Sequence, residues 1–224
     1  MCGIIAYKGK KYDASDILFE GLHLLEYRGY DSAGIAVINN NQKKAERLFN
    51  KNKISSKIGI GHTRWATHGE PNDINSHPIE SFNKKFAIVH NGIIENYKDL
   101  KKILTEKGYK FYTETDTEIL INFIELCIEE SNNIEQGLSY ALSKVQGAFA
   151  IVLISKKNPE LMFAARKGSP LAFGNKKNEF FVASDAIPII KHTNKIIYLG
   201  NDHILKIDSE NFEIFDYNLK KINK

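Results

Sequence analysis

The sequence has little cysteine, tryptophan or proline, and it has no long apolar run. Its 224 residues include two cysteines, Cys2 and Cys127, one tryptophan and five prolines. Two cysteines do not make the disulfide framework of a small secreted domain, so a reducing cytoplasm is the simpler location. No stretch approaches the roughly 20 apolar residues of a transmembrane helix, and the start of the chain lacks the features of a secretory signal. We therefore expect a cytoplasmic protein with no membrane partner.

Neither sign of charge is in large excess. The formal net charge is +4, with 26% charged and 42% hydrophobic residues, which is typical of a globular protein. The lysines form scattered short clusters and no basic stripe alternates with aromatic residues, so nucleic-acid binding is not expected. The chain also has no internal repeat, low-complexity linker or change of composition. We predict one domain over residues 1–224.

Apolar runs and helical periodicities predict two groups of strands with helices between them. Expected strands cover residues 3–7, 33–38, 45–49, 58–65, 86–90 and 149–154, followed by six shorter ones between 161 and 215. Expected helices cover 14–26, 94 to a stop at Gly108, 116–130 and 134–145. Thr115 and Glu118 have the pattern of a capping box, and the apolar face of the helix that follows makes Cys127 a core residue. This order favours an α+β fold of stacked sheets covered by helices.

Cys2 is the first candidate for chemistry because it follows the initiator methionine. Aminopeptidases usually remove a methionine that precedes a small residue, which would leave Cys2 with both a thiol and a free α-amine. A thiolate is a strong nucleophile, and an α-amine with a pKa of about 8 can act as its general base. The alternative is that Cys2 is a small apolar residue at the start of a buried strand.

Two further polar features stand next to predicted strands. Asn91 and Gly92 follow the expected end of the 86–90 strand, where a side-chain amide and an open backbone N–H can form an oxyanion hole. An ordinary Asn-Gly turn is the alternative. Arg64 ends another strand, and its planar guanidinium suits a carboxylate. It leads into residues 66–73, a long polar loop of a kind that often carries function.

Several motifs occur together along the chain. They are the opening Cys2-Gly3-Ile4, LEYRGYDSAGIA at 25–36, GHTRWATHGEPN at 61–72, SHP at 76–78, VHNGIIENY at 89–97, TETDTE at 113–118 and ASDAIP at 183–188. With these motifs, the whole chain resembles the glutaminase domains of the glutamine–fructose-6-phosphate aminotransferase family, which belong to the class II glutamine amidotransferases. The resemblance implies a four-layer αββα sandwich of the N-terminal nucleophile hydrolase type.

The resemblance also implies an activity. The domain would hydrolyse L-glutamine to L-glutamate and ammonia with Cys2 as the nucleophile and without a cofactor. The ammonia would serve the conversion of fructose 6-phosphate to glucosamine 6-phosphate in hexosamine biosynthesis, in an isomerase domain or subunit absent from this chain. The full enzyme is expected to be a homo-oligomer. A non-catalytic module that senses glutamine, or that docks a separate isomerase subunit, is the alternative.

Residues at the motif positions receive roles from the resemblance. Asn91 and Gly92 would stabilise the oxyanion, and Gly92 would also contact the substrate. Arg64 would bind the α-carboxylate of glutamine and Asp116 its α-ammonium, although Asp116 also suits the first turn of a helix. The remaining substrate-binding candidates belong to a loop that would close over glutamine and exclude water. They are Trp65, Thr67 and His68.

Some of these positions have competing explanations. Trp65 would also gate the passage of ammonia, and a packed aromatic side chain is the alternative. Arg28 matches a family arginine near the nucleophile and is a catalytic candidate, because its charge would lower the pKa of the Cys2 thiol. An ion pair with Asp31 is the alternative for Arg28. Four histidines have a spacing that matches no zinc pattern, so no metal site is expected. They are His62, His68, His77 and His90.

Overall fold

Two antiparallel sheets form the middle of the structure. The computed structural model describes residues 2–29, 31–38, 45–47, 55–65 and 72–223, with the backbone alone described at 45–47. Residues 48 and 49 of the predicted third strand lie outside the described residues. Within these ranges, every helix is too short or too polar to cross a lipid bilayer.

The strands and helices of the described residues largely coincide with the predicted ones. The strands are β1 (Gly3–Lys8), β2 (Ser32–Ile38), β3 (Ala45–Arg47), β4 (Ile58–Arg64), β5 (Ile79–Glu80), β6 (Phe86–Ile94), β7 (Gly147–Ser155), β8 (Met162–Lys167), β9 (Ala172–Lys176), β10 (Glu179–Ala183), β11 (Ile196–Tyr198), β12 (His203–Ile207) and β13 (Phe212–Asp216). The α-helices are α1 (Ala14–Leu24), α2 (Tyr97–Glu106), α3 (Asp116–Ser131), α4 (Ile134–Lys144) and α5 (Ile187–Ile190), and a 3-10 helix covers Glu26–Arg28. The sequence pattern does not predict β5, α5 or the 3-10 helix, because such short spans show no periodicity.

The strand order places β1 near the centre of its sheet. One sheet has the order β11-β9-β10-β1-β4-β2-β3 and the other has the order β13-β12-β8-β7-β6-β5. Neighbouring strands run antiparallel throughout both sheets. Every residue of β1 is buried, so Cys2 directly precedes a central strand. β1 fixes the position of Cys2, because β10 and β4 pair with the backbone of β1 on its two sides.

Helices cover the outer faces of the two sheets. Apolar side chains of β1, β4 and β10 share one core cluster with those of β6, β7 and β8, so the sheets pack face to face. On one outer face, α1 packs against β1 and β4. On the other, α3 packs against β6, with α2 and α4 beside it. The order of layers is helix, sheet, sheet, helix, which confirms the predicted α+β fold with an αββα sandwich.

β6 continues past its predicted end at His90. Its pairing with β7 extends through Asn91 and Gly92, which lie opposite Ala150 and Phe149. The expected strand end, and with it an Asn-Gly turn, is therefore wrong. The apolar pattern stops at the first polar residues, whereas main-chain pairing does not require an apolar side chain. Asn91 thus projects from a paired strand, which holds it more firmly than a turn.

The start of α3 is capped differently from the predicted capping box. Thr115 Oγ1 accepts the Glu118 N–H at 3.2 Å, as predicted. The buried Glu118 carboxylate instead accepts the N–H groups of Tyr112 at 2.8 Å and Thr113 at 2.7 Å. The Thr115 N–H donates to Thr113 Oγ1 at 3.2 Å. The predicted capping box is therefore wrong for Glu118. Its carboxylate links the preceding loop to the helix, and these main-chain N–H groups satisfy its hydrogen-bonding capacity.

Candidate active site

A pocket of about 210 Å³ lies where elements of both sheets meet. Cys2 precedes β1 and Arg64 ends β4, and the antiparallel pairing of these strands brings the two residues to one edge. Asn91 lies in the second half of β6, and Asp116 begins α3. Seven of the predicted site residues line the pocket: Cys2, Arg28, Arg64, Trp65, Asn91, Gly92 and Asp116. The predictions for Met1, Thr67 and His68 lie outside the described residues.

The Cys2 thiol contacts the main chain of Trp65. The Trp65 N–H donates to Cys2 Sγ at 3.1 Å, and the thiol donates to the Trp65 carbonyl at 3.4 Å. Gly29 permits this approach, because a Cβ there would lie 2.9 Å from the carbonyl carbon of Arg64 and from the nitrogen of Trp65. The sequence does not reveal this contact, since every non-proline residue carries the same main-chain groups.

Asn91 and Gly92 face Cys2 from the opposite sheet. The Asn91 Nδ2 donates to the Cys2 carbonyl oxygen at 2.8 Å. An amide nitrogen carries two hydrogens, so Asn91 Nδ2 has a second N–H that it can donate to a ligand in the pocket. Gly92 has φ +124°, and a Cβ there would collide with the carbonyl oxygen of Ala148. Only glycine fits this backbone, which keeps its surface open to the pocket.

Arg64 and Asp116 bring opposite charges to the pocket. Both side chains are buried. Burial lowers the pKa of the Arg64 guanidinium, and the negative charges of Asp31 and Asp116 oppose that shift. A guanidinium remains protonated in proteins, so it still attracts an anion. Asp116 Oδ2 accepts the Ile94 N–H at 2.8 Å, which holds the carboxylate at the end of β6. Thr115 is the helix cap, so Asp116 is not needed for that role.

The Arg28 side chain contacts the main chain of Cys2, the predicted nucleophile. Its Nε donates to the Cys2 carbonyl oxygen at 3.2 Å. Its Nη1 forms an ion pair with Asp185 at 3.4 Å, and the Tyr27 hydroxyl donates to the same carboxylate at 2.9 Å. This ion pair joins Arg28 to a residue far away in the sequence, whereas Asp31 was the expected alternative partner. The hypothesis that Arg28 acts on the thiol of Cys2 stays a prediction.

Three buried histidines form the floor of the pocket. They are His62, His77 and His90. His77 Nε2 and His90 Nδ1 lie 2.9 and 2.8 Å from Thr117 Oγ1, and the rings of His62 and His77 stack with centroids 4.4 Å apart. In the part of the chain that the structure describes, no group of three or more His, Cys, Asp or Glu side chains is arranged to hold a metal ion.

The pocket combines four chemical groups that suit one kind of ligand. Arg64 and Asp116 can bind the carboxylate and the ammonium of an amino acid. The Cys2 thiol and the Asn91 amide lie in the same pocket. A thiol beside an N–H donor can attack a side-chain carbonyl and stabilise the oxyanion that forms. The arrangement therefore fits an amino acid with an electrophilic side chain.

Comparison with known proteins agrees with this chemistry. Residues 1–212 match the family described as a glutamine amidotransferase domain. The whole chain is 45% identical to the glutamine–fructose-6-phosphate aminotransferase (isomerizing) of Clostridium acetobutylicum, of which it covers 38%. The chain belongs to the class II glutamine amidotransferase family. A relative of the same name from Bacteroides thetaiotaomicron is 47% identical over 93% of the chain and 36% of that protein. This amidotransferase domain thus spans little more than a third of the length of these relatives.

Solved structures share the fold of the amidotransferase domain. A glutamine phosphoribosylpyrophosphate amidotransferase from B. subtilis has a TM-score of 0.81 and 25% identity, covering 98% of this chain and 50% of that one. A glutamine aminotransferase class-II domain protein from Silicibacter pomeroyi has a TM-score of 0.65 and 13% identity, covering 99% of this chain and all of the other. The first confirms the N-terminal nucleophile hydrolase sandwich, and the second supports the fold alone.

Proposed function

We propose that this domain hydrolyses L-glutamine to L-glutamate and ammonia, with Cys2 as the nucleophile. The observation that carries the proposal is the convergence of a thiol, an amide donor, a cation and an anion on one pocket. Arg64 binds the α-carboxylate, and Asp116 binds the α-ammonium. The side-chain amide of glutamine then extends toward Cys2, where Asn91 and the Gly92 N–H form the oxyanion hole.

The reaction requires a free α-amine on Cys2, which removal of Met1 supplies. This amine accepts the thiol proton, and the thiolate attacks the side-chain amide carbon. The tetrahedral oxyanion accepts hydrogen bonds from Asn91 Nδ2 and the Gly92 N–H. The amine returns its proton to the leaving nitrogen as the C–N bond breaks, which releases ammonia and leaves a thioester. Water then hydrolyses the thioester to L-glutamate and restores the thiol.

The proposed use of the ammonia lies outside this domain. The relatives are named glutamine–fructose-6-phosphate aminotransferase (isomerizing), and the chain covers 38% of one of them. We propose that a separate isomerase part converts fructose 6-phosphate to glucosamine 6-phosphate with this ammonia, in a homo-oligomeric full enzyme. We also propose a cytoplasmic location, because the free thiols of Cys2 and Cys127 suit a reducing compartment.

A diazoketone analogue of glutamine tests the proposed nucleophile directly. We expect the intact mass to lack Met1 and to increase by one adduct, which peptide mapping assigns to Cys2. Excess L-glutamine should protect the thiol, because both compounds require the same pocket. A processed protein that takes no adduct would contradict the proposal and favour a domain without a formed glutamine site.

Cys127 is an internal control in the same experiment. It lies on α3 in the core and is 4% exposed, and burial raises the pKa of its thiol to about 12. Such a thiol is almost fully protonated at neutral pH and reacts slowly with electrophiles. Labelling of Cys127 at the rate of Cys2 would show that the reagent reports general thiol access and not a glutamine pocket.

Arg64 should govern binding of the substrate carboxylate. Replacing Arg64 with glutamine removes a charged, two-pronged donor, at a cost of about 2–3 kcal/mol or roughly 30- to 150-fold in kcat/KM. Arg64→Lys should fall between this variant and the wild type, because lysine keeps the charge but loses the paired geometry. Steady-state hydrolysis measures the effect. Wild-type kcat/KM in the Arg64→Gln variant would exclude Arg64 as the carboxylate ligand.

A further inference from the structure

His62 connects the two sheets directly beneath the proposed oxyanion hole. It lies in β4 and pairs across the sheet with Ile4, two residues after the nucleophile. Its Nε2 lies 3.0 Å from the carbonyl oxygen of His90 and 3.0 Å from Asn91 Oδ1, both in β6 of the other sheet. His62 is 1% exposed, so water does not compete for these contacts. The ring therefore links the strand beside Cys2 to the strand that carries Asn91.

These contacts fix the position of the hydrogen on the His62 ring. A main-chain carbonyl only accepts hydrogen bonds, so the Nε2 that contacts the His90 oxygen carries the hydrogen. Burial lowers the pKa of His62 to about 3, so the ring is neutral and holds a single hydrogen near neutral pH. The Nε2–H is consequently shared between the His90 carbonyl and Asn91 Oδ1.

The same hydrogen fixes the orientation of the Asn91 amide. With Oδ1 toward His62, Nδ2 points to the Cys2 carbonyl, 2.8 Å away. Rotating the amide by half a turn would set its NH₂ against the His62 N–H and its oxygen against the Cys2 carbonyl. Both new contacts would join groups of the same kind, two donors and two acceptors, and would lose one buried and one partly buried hydrogen bond. The orientation that donates into the pocket is therefore the one that His62 selects.

We propose that His62 is a positioning residue of the oxyanion hole, whose Nε2–H holds the Asn91 amide with its N–H groups toward Cys2 and the reacting carbonyl. The inference rests on the proposed glutaminase function. His62 itself does not touch the substrate and acts through Asn91. Removing the ring should therefore weaken stabilisation of the transition state and leave binding of the amino-acid head group unchanged.

Two substitutions separate the hydrogen bond from the packing of the ring. His62→Leu removes the donor at similar volume, and we expect kcat for glutamine hydrolysis to fall about 10- to 100-fold, the range for a misplaced reacting group. His62→Gln can place an amide N–H near the former Nε2, so we expect its kcat to stay within roughly fivefold of wild type, a smaller loss than in His62→Leu. The dissociation constant of L-glutamate, which lacks the oxyanion, should change less than about twofold in both variants.

A glutamine analogue with a γ-aldehyde provides a readout that packing alone would not change. The Cys2 thiol adds to the aldehyde, and the resulting oxygen occupies the oxyanion position. Its affinity should fall in His62→Leu by about the factor lost in kcat, as expected for an analogue of the transition state. In an Asn91→Ala background, adding His62→Leu should change the aldehyde affinity by less than about twofold, because the Asn91 amide through which His62 acts is absent.

The outcomes distinguish this inference from the function on which it rests. A wild-type chain that neither hydrolyses glutamine nor binds the aldehyde would contradict the proposed function, and the role of His62 would fail with it. An active wild type with unchanged kcat in His62→Leu would contradict only the role of His62. Equal losses in the leucine and glutamine variants, or a full additional loss in the Asn91→Ala background, would show that the ring acts by packing and would also overturn the inference.

Discussion

Replacing Cys2 with alanine should lower the rate of glutamine hydrolysis by at least about 10⁴-fold, as removal of a covalent nucleophile does in other hydrolases. Alanine is also small, so Met1 should still be removed and the α-amine kept. Without the thiol no thioester can form, and the oxyanion donors act only on a slow attack by water. Ammonia release under saturating L-glutamine measures the loss.

The matched control makes the same change at the other cysteine. Cys127→Ala removes a buried thiol from the core, so it should lower the free energy of unfolding by about 1 kcal/mol and leave kcat unchanged. Cys2→Ala should still bind L-glutamate, because Arg64 and Asp116 remain. Substantial hydrolysis by Cys2→Ala, or an equal loss of rate in Cys127→Ala, would contradict the assignment of Cys2 as the nucleophile.

Both layers of strands could be predicted because their apolar runs are local properties of the chain. The run that became β7 is buried along most of its length, and the pattern alone located it to within two residues at each end. The pairing of strands was not predictable in the same way. It brings Cys2 within reach of Asn91, 89 residues later, and that contact exists only once the two sheets have packed. The motifs therefore predicted which residues form the site, whereas the distances between these residues depend on tertiary structure.

The errors and omissions have the same physical origin. The polar pair Asn91-Gly92 ended the apolar pattern but not the strand, because cross-strand hydrogen bonds come from the main chain. Ser169 and Pro170 line the pocket, yet they belong to none of the motifs and lie between β8 and β9. The contact between the Trp65 main chain and the Cys2 thiol could not be predicted from the sequence. Each depends on a contact between residues far apart in the chain.

Arg64 and Asp116 place opposite charges in one buried site. Both side chains are buried, and burial lowers the pKa of the Arg64 guanidinium. A zwitterionic amino acid would supply an anion to Arg64 and a cation to Asp116 at the same time. The pocket is thus better matched to an amino acid than to a simple amide.

Asn91 should show the second largest effect, and its two obvious replacements separate donation from position. Asn91→Ala removes the oxyanion donor and should lower kcat about 10²- to 10³-fold with little change in L-glutamate affinity. Asn91→Asp keeps an oxygen that accepts from His62 Nε2 but replaces the amide N–H groups with a negative charge. It should therefore keep the contact with His62, lose the hydrogen bond to the Cys2 carbonyl oxygen, and lose at least as much activity, because a carboxylate repels the oxyanion. Steady-state kinetics of glutamine hydrolysis would measure the change in kcat, and titration with L-glutamate would measure the change in affinity. A fully active Asn91→Asp would show that the N–H of Gly92 alone stabilises the oxyanion, since a carboxylate has no hydrogen to donate.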